Sequence, residues 1–397
     1  MDVSILISSF NRRAVLLRTL GIVWAEISRP GSPAAEIIVV DNASRDGTAA
    51  AVAREFPGVK LIRRRTNGGA CAKNDGLLRA GGRFIVFLDD DSYPAPGSLR
   101  RMLEHFRLDP QLGAAVFDVV LPDGSRECSA YPTVCIGCGT GFRAEALHQV
   151  GGLPRRYFMQ AEEYDLSLRL LDAGWSIRRF ADLRVEHLKT PGARRAERTT
   201  RLDVRNNLTL IATRFPRKWV VPFALDWMSR YRWLARDRGG KHLAAFWRGL
   251  IEGAIESLGP SRRQPISDAA FEQFAMIDRI ARDMAAMARA AAERSQPWRR
   301  ILLVDVGKNI LPYWLAAEAC GLKVVAIADP RMATPWRRYR GVPVLSDAAA
   351  GRLSFDAVIV SNSSPIHAAQ RAQEWRVRTG RPVVELGGVQ RRAVQVA

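Results

Sequence analysis

Three consecutive aspartates, Asp89, Asp90 and Asp91, follow the apolar run RFIVFL. Acids gathered at the end of a buried strand are costly unless a partner neutralises them. An Asp-x-Asp spacing there can bind Mg²⁺ or Mn²⁺ through oxygen while phosphates fill the other positions. The competing reading is a solvated acidic turn or helix cap. Asp41 and Asn42 end a second apolar run, EIIVVDN. A carboxylate at that place can accept a hydrogen bond from a base N–H, or either residue caps the next helix. Asn67-Gly68-Gly69 opens a turn that becomes a helix through Lys73 and Asn74, which suits close backbone approach to phosphate or ribose. Glu162, Glu163 and Asp165 cluster at a helix start. Acids there are often dipole partners, but Glu163 is also placed to deprotonate an acceptor. His187 follows the strand pattern LRVEHL, either as a structural histidine or as a third metal ligand. Behind it, Lys189, Arg194, Arg195 and Arg198 form a basic loop able to close over a diphosphate.

These residue types meet the demands of sugar transfer from a nucleotide diphosphate. The departing diphosphate gains charge and needs a cation; the acceptor hydroxyl must lose a proton; the nucleotide must be held in one orientation. The elements that position them alternate. VSILISSF, EIIVVDNAS, VKLIRR and RFIVFLDDDS read as strands, separated by the helical patterns AVLLRTLGIVWAEI, DGTAAAVAREF (opened by a capping Asp46) and the segment to Ala80. Strand–helix alternation means βαβ units and a largely parallel sheet, whose ligands bind beyond the strand carboxyl ends. The strand tips carry the acids. Ala161 to Ala173 reads as a helix, and WSIRRFADLRVEHL as two short strands with a turn between them.

The 397 residues suit two or three domains. Residues 216–297 are mostly helical and read as a linker or packing region. Its tryptophans, Trp219, Trp227, Trp233 and Trp247, are expected to pack against neighbouring domains; the rival is an aromatic and basic face lying on a membrane. Residues 298–397 repeat strand, turn, helix, strand and read as a small Rossmann-like domain. Its first turn, Gly307-Lys308-Asn309, lacks the three-glycine dinucleotide fingerprint, which counts against NAD.

Five dispersed cysteines fit a reducing compartment. Cys135-Ile136-Gly137-Cys138 lacks a clear fourth ligand and reads as small-residue packing more than zinc. The opening MDVSILISSFN reads as a first strand and not a signal peptide, and no apolar run reaches about 18 residues, so a cytoplasmic or peripheral membrane protein is expected. The net charge of +20 favours polyanions: diphosphates, an anionic membrane or nucleic acid. No zinc finger, RNA-recognition signature or basic zipper is present, so nucleic acid is not expected.

The segments SILISSFNR, IIVVDNASRDGT, NGGACAKNDGL, FIVFLDDDSYP, GCGTGFRAEAL, YFMQAEEYDLSLRLLDAGW and VEHL, in this order, resemble the family-2 glycosyltransferases of GT-A fold. The likeness spans about residues 1 to 215, and RNNLTLIATRFP is similar to the tail of bacterial rhamnosyltransferase-like members. The resemblance implies an α/β nucleotide-diphospho-sugar transferase with an inverting, single-displacement mechanism. It implies donor contacts from Ser9, Asn11, Arg12, Asp41, Asn67, Lys73, Asn74, Asp89 and Asp90, and a divalent metal on Asp89, Asp91 and His187. It places a catalytic base at Glu163, where the family usually has aspartate, with Glu162 as the alternative. The implied partners are a nucleotide-diphosphate sugar and a hydroxyl acceptor, which is a glycan, a lipid-linked glycan or a small molecule. Two other readings compete. A sugar nucleotidyltransferase would carry a glycine-rich loop after the first strand, where this chain has SSFNRR. A non-catalytic sugar-nucleotide-binding scaffold would not need the intact acidic triplet and Glu163.

Overall fold

The computed structural model describes residues 1–190, 196–258 and 263–387. The chain divides into two compact units, 1–128 with 133–270, and 129–132 with 271–397. The helical stretch over 216–297, expected as a segment of its own, is thus shared between them.

In the first unit the order is β1 (Val3–Ser9), α1 (Arg13–Ile27), β2 (Ala35–Asp41), α2 (Thr48–Glu55), β3 (Lys60–Arg63), α3 (Lys73–Leu77), β4 (Phe84–Asp89), β5 (Ser92–Pro94) and α4 (Ser98–Leu108). Then follow β6 (Leu112–Val120), β7 (Arg126–Glu127), β8 (Thr140–Arg143), α5 (Ala144–Val150), α6 (Glu162–Asp172), β9 (Ser176–His187), α7 (Ala196–Arg214), α8 (Arg217–Asp237) and α9 (Gly240–Ser257). The sheet runs β3-β2-β1-β4-β8-β6-β9-β5, with β7 beside β6. Its first four strands are parallel. They are near-continuous apolar runs because helices cover both faces; Ile5, Ile7, Val39, Val86 and Leu88 are fully buried against Leu16, Leu20 and Val23 of α1.

Register brings the chemistry to one edge. Ser9 pairs with Asp41, Ser8 with Asp89, and Ser92 with His187. The stretch expected as two strands is one twelve-residue strand, β9. Its pairing with β6 jumps from Phe180 to Arg184, so the expected turn is a bulge. Such a bulge bends a strand without ending it, and Leu183 within it is fully buried. Asp46 does not occupy the cap position of α2, which falls on Gly47 with φ +80°; its carboxylate instead accepts from the Thr48 N–H and hydroxyl.

After α10 (Asp268–Ala275), which spans the division between the units, the second unit contains α11 (Ile277–Glu293), β10 (Arg300–Val304), α12 (Ile310–Ala319), β11 (Lys323–Ala328), β12 (Arg338–Tyr339) and β13 (Val342–Leu345). It continues with α13 (Asp347–Ala350), β14 (Ala357–Val360), α14 (His367–Arg378) and β15 (Val383–Glu385). The strand order is β12-β13-β11-β10-β14-β15, parallel except for the β12 edge. That is a doubly wound arrangement with its order reversing between β10 and β14. No helix among the described residues is long and apolar enough to cross a membrane.

Candidate active site

The acids at the tip of β4 diverge. Asp89 is one-third exposed and its Oδ1 lies 2.9 Å from Lys73 Nζ. Burial opposes its ionisation, but the Lys73 ammonium prevails and holds the carboxyl below its ordinary range. Asp90 turns inward, accepting from Ser9 Oγ at 2.7 Å and pairing with Arg12 Nη1 at 2.9 Å. Burial pushes its carboxyl up to about 6, against the pull of Arg12. Asp91 accepts from Arg12 Nη2 at 2.9 Å and from the Thr190 N–H at 2.8 Å, and its other oxygen faces His187 Nε2 at 3.3 Å. Despite burial, hydrogen bonds from His187 and Arg12 hold it well below the usual carboxylate range.

His187 reaches this place because β9 pairs antiparallel with β5. Its Nδ1 lies 2.7 Å from Glu127 Oε2, a residue that sequence reasoning passed over. Glu127 sits on a two-residue strand in an irregular stretch, without a pattern to single it out. Burial disfavours charge on His187, but hydrogen bonds to Asp91, Cys138 and Glu127 outweigh it and raise the imidazolium to about 12.

One ligand atom each from Asp89, Asp91 and His187 lies within 4.8 Å of the others. Two carboxylates and an imidazole oriented by Glu127 suit Mg²⁺ or Mn²⁺. Glu127, Cys138 and His187 form a second such set. Burial pushes the Cys138 thiol up to about 11, and the oxygen donors of the aspartate pair fit the harder cation better than its sulfur does. The Cys135 thiol is likewise raised to about 12 by burial, consistent with packing.

Beside the acids lies a cup lined by Lys73, Glu162 and Glu163 together with apolar Phe87, Ile136 and Phe142. Lys73 is 2% exposed and spans the two features, bonding Asp89 on one side and the Gly137 carbonyl at 2.9 Å on the other. Glu163 Oε1 accepts from the Gly137 N–H. Glu162 is 6% exposed, and its Oε2 has no hydrogen-bond partner among the described residues. Burial raises both carboxyls above the ordinary glutamate value; Glu163 also raises Glu162, and the Gly137 N–H partly restrains the rise at Glu163.

The helix that carries the glutamates is anchored through Asp165. Asp165, fully buried, pairs with Arg169 Nε at 2.5 Å, Arg214 Nε at 2.9 Å and Arg156 Nη2 at 3.2 Å. Burial resists its ionisation, but Arg169 and Arg214 keep the carboxyl low. Asn206 on α7 donates to the carbonyls of Tyr157, Met159 and Gln160. That loop enters α6 through Phe158, Gln160 and Ala161, all at positive φ. Such strain persists only where the surroundings fix it.

Several expected donor residues are placed in the fold's own bonds. Asn74 donates to the Leu153 carbonyl and accepts from its N–H, and Asn67 accepts from the Gly69 N–H. Asn42 bonds Gly68 and Gly69. Gly69 sits at φ +64°, and a Cβ there would lie 2.1 Å from the Phe158 carbonyl oxygen, which accounts for glycine in this turn. Asn11 accepts from the Arg45 N–H, and Asp41 from the Ser44 N–H. Lys189 Nζ lies 3.1 Å from Glu127, and the Arg198 guanidinium covers the Phe158 ring. Arg194 and Arg195 lie outside the described residues.

Comparison with known proteins bears on this arrangement. Residues 4–129 match the model of glycosyl transferase family 2. The succinoglycan biosynthesis protein ExoO of Rhizobium meliloti is 36% identical over 130 residues, 31% of this chain and 35% of that protein. A Mycobacterium tuberculosis N-acetylglucosaminyl-diphospho-decaprenol L-rhamnosyltransferase is 27% identical over 189 residues, 35% of this chain and 62% of that protein. The chain therefore spans between one-third and two-thirds of the length of these curated relatives. The S. aureus TarS 1–349 structure in complex with UDP-GlcNAc superposes with a TM-score of 0.50 at 14% identity, covering 81% of this chain and 93% of that one. The fold is the mixed α/β GT-A fold, and the likeness to glycosyl transferase family 2 lies in residues 4–129.

Proposed function

We propose that this protein transfers a sugar, with inversion, from a nucleotide-diphosphate donor to an acceptor hydroxyl in polysaccharide or glycoconjugate synthesis. The observation that carries the reading is Lys73, which joins the Asp89–Asp91–His187 cluster to the cup holding Glu162 and Glu163. Asp89, Asp91 and His187 would hold Mg²⁺ or Mn²⁺, which when bound supplies positive charge to the diphosphate leaving group. Asp41, at the tip of β2, accepts from the nucleotide base. Arg12 fixes Asp90 and Asp91 in place, and Lys189 with the basic loop after it screens the departing phosphates.

Glu163 takes the proton of the acceptor hydroxyl as that oxygen attacks the anomeric carbon and the bond to the diphosphate breaks. Its anchored Oε1 fixes the carboxylate, and its raised basicity suits proton uptake near neutral pH. Glu162 is the alternative base. The apolar walls of the cup exclude water that would otherwise hydrolyse the donor.

The M. tuberculosis relative is named for a lipid-linked acceptor and a rhamnosyl donor. The corresponding reading here is a dTDP-rhamnose or UDP-sugar donor and a lipid-linked glycan acceptor met at the cytoplasmic membrane face. A thermal-shift screen of nucleoside diphosphates and sugar nucleotides with Mn²⁺ identifies the base and sugar class. Donor hydrolysis with and without EDTA then tests the enzyme. Metal-dependent release of nucleoside diphosphate is expected; tight binding without turnover in the presence of acceptor would favour the scaffold.

A further inference from the structure

The helix α9 buries Phe246, Gly249 and Gly253 and still carries a second apolar face outward. Gly249 and Gly253 are buried against α7, where a Cβ would lie 2.4 Å from the Arg201 carbonyl oxygen and 2.8 Å from that of Arg205. The opposite face carries Trp247, Ile251, Ile255 and Leu258, each between 49% and 70% exposed. Ala244 and Ala254 are exposed on the same side. A surface helix normally turns its apolar stripe inward and its charge outward. Here close packing uses glycine, so the fold has no use for the outward isoleucines.

The neighbouring helix carries a second exposed apolar strip. Only Arg238 and Gly239 separate α8 from α9, which makes them a packed helical hairpin. On α8, Val221 and Leu225 are exposed, within one residue of the distance from the turn at which Ile255 and Ile251 lie. Exposed cations border the strip: Arg217, Arg232 and Arg236 on α8, and Lys241 and Arg248 on α9. Trp227, by contrast, is fully buried against Phe215 and Phe223, so the tryptophans of this region divide between packing and exposure.

Exposed apolar strips of this kind mark an interaction site. A second copy of the chain, net charge +20, would set these cations against their equals. An anionic bilayer satisfies both features at once. Apolar side chains enter the acyl boundary, tryptophan rests at headgroup level, and arginines meet lipid phosphate. We propose that the outward face of the α8–α9 hairpin seats this protein on an anionic membrane, with Trp247, Ile251 and Ile255 inserted and the flanking arginines on the headgroups. This deepens the reading of a membrane-borne acceptor and rests on it for its purpose, although lipid binding itself requires no catalysis.

The test is co-sedimentation of the full chain with phosphatidylcholine vesicles, alone or with about one-third phosphatidylglycerol. Wild type should bind the anionic vesicles and not the neutral ones. The double variants Ile251→Gln with Ile255→Gln, and Arg232→Glu with Arg236→Glu, should each weaken binding at least about tenfold. Their melting temperatures and donor hydrolysis in solution should match wild type. Undiminished binding by the isoleucine variant would overturn the proposal, because net charge alone would then explain attachment. So would wild type that ignores anionic vesicles, or a wild-type dimer that the isoleucine variant dissolves. Vesicle binding without donor turnover would instead refute the glycosyltransferase reading and leave the docking surface standing.

Discussion

At the carboxyl edge of the C-terminal sheet, Asp305, Asp329 and Asp347 are occupied within the fold. Arg371 bonds Asp305 at 2.8 Å and both oxygens of Asp347 at 2.8 Å, and Asn362 takes the second oxygen of Asp305. Asp329 accepts from the N–H groups of Val306, Arg331 and Met332. At the corresponding edge of the N-terminal sheet, Asp89, Asp91 and His187 bring ligand atoms within 4.8 Å of one another, and Glu162 in the neighbouring cup keeps a buried oxygen without a partner among the described residues. Both edges follow parallel strands and both are acidic. Strand-tip acid alone therefore does not mark a metal site. What separates the edges is the histidine: at the first, His187 joins two aspartates within reach of one ion, whereas the acids of the second are bonded by arginine, asparagine and backbone N–H groups.

Substitutions at the two edges should differ in kind. The largest effect belongs to the internal support of the first edge: Asp165→Asn leaves Arg156, Arg169 and Arg214 uncompensated and should cost about 3–5 kcal/mol in denaturant unfolding. Because the Asp165 carboxyl is depressed in the folded state, its contribution is present above the ordinary aspartate value. It is lost as pH falls through the depressed one, so the variant should show a shallower acid limb. Arg371→Ala strips both Asp305 and Asp347 of their cation. It should destabilise the C-terminal unit by about 3 kcal/mol while the donor Kd stays unchanged. A change in donor affinity comparable to that of an active-site variant would break the contrast between the edges.

Glu163→Gln should keep donor affinity and lower kcat at least about a hundredfold. The wild-type rate should rise with pH towards neutrality, since burial lifts this carboxyl and only its ionised form accepts a proton. If Glu162→Gln alone produces that loss, the base is Glu162. The smallest effect is on stability: Glu162→Gln removes a carboxyl that ionises more readily in the unfolded chain than in its buried place beside Glu163, and should raise the melting temperature by an amount worth about 1 kcal/mol. Destabilisation would mean that the carboxylate is satisfied in solution.

The parallel strands and their acidic tips were legible because alternation and apolar runs report directly on sheet burial. The placements within the site were not. Asp90 is adjacent in sequence to two proposed ligands, yet its side chain turns to Ser9 and Arg12, because the chain leaves β4 after Asp89 and turns before β5. Asn74 lies in the same motif as Lys73, but pins Leu153. Glu127 meets His187 through a side-chain contact across sixty residues, which no local pattern encodes. The outward stripe of α9 required knowing that Gly249 and Gly253 face inward; without the helix's orientation, its isoleucines read as core.

The central claim is that Asp91 and His187, with Asp89, hold a dication for the nucleotide diphosphate. Electron paramagnetic resonance of Mn²⁺ titrated with the protein and UDP, dTDP or GDP tests it most directly. Wild type should immobilise one Mn²⁺ in the presence of the cognate diphosphate, and Asp91→Ala should weaken that binding at least about tenfold, the lower end for loss of a metal contact. Undiminished Mn²⁺ immobilisation by Asp91→Ala would contradict the account.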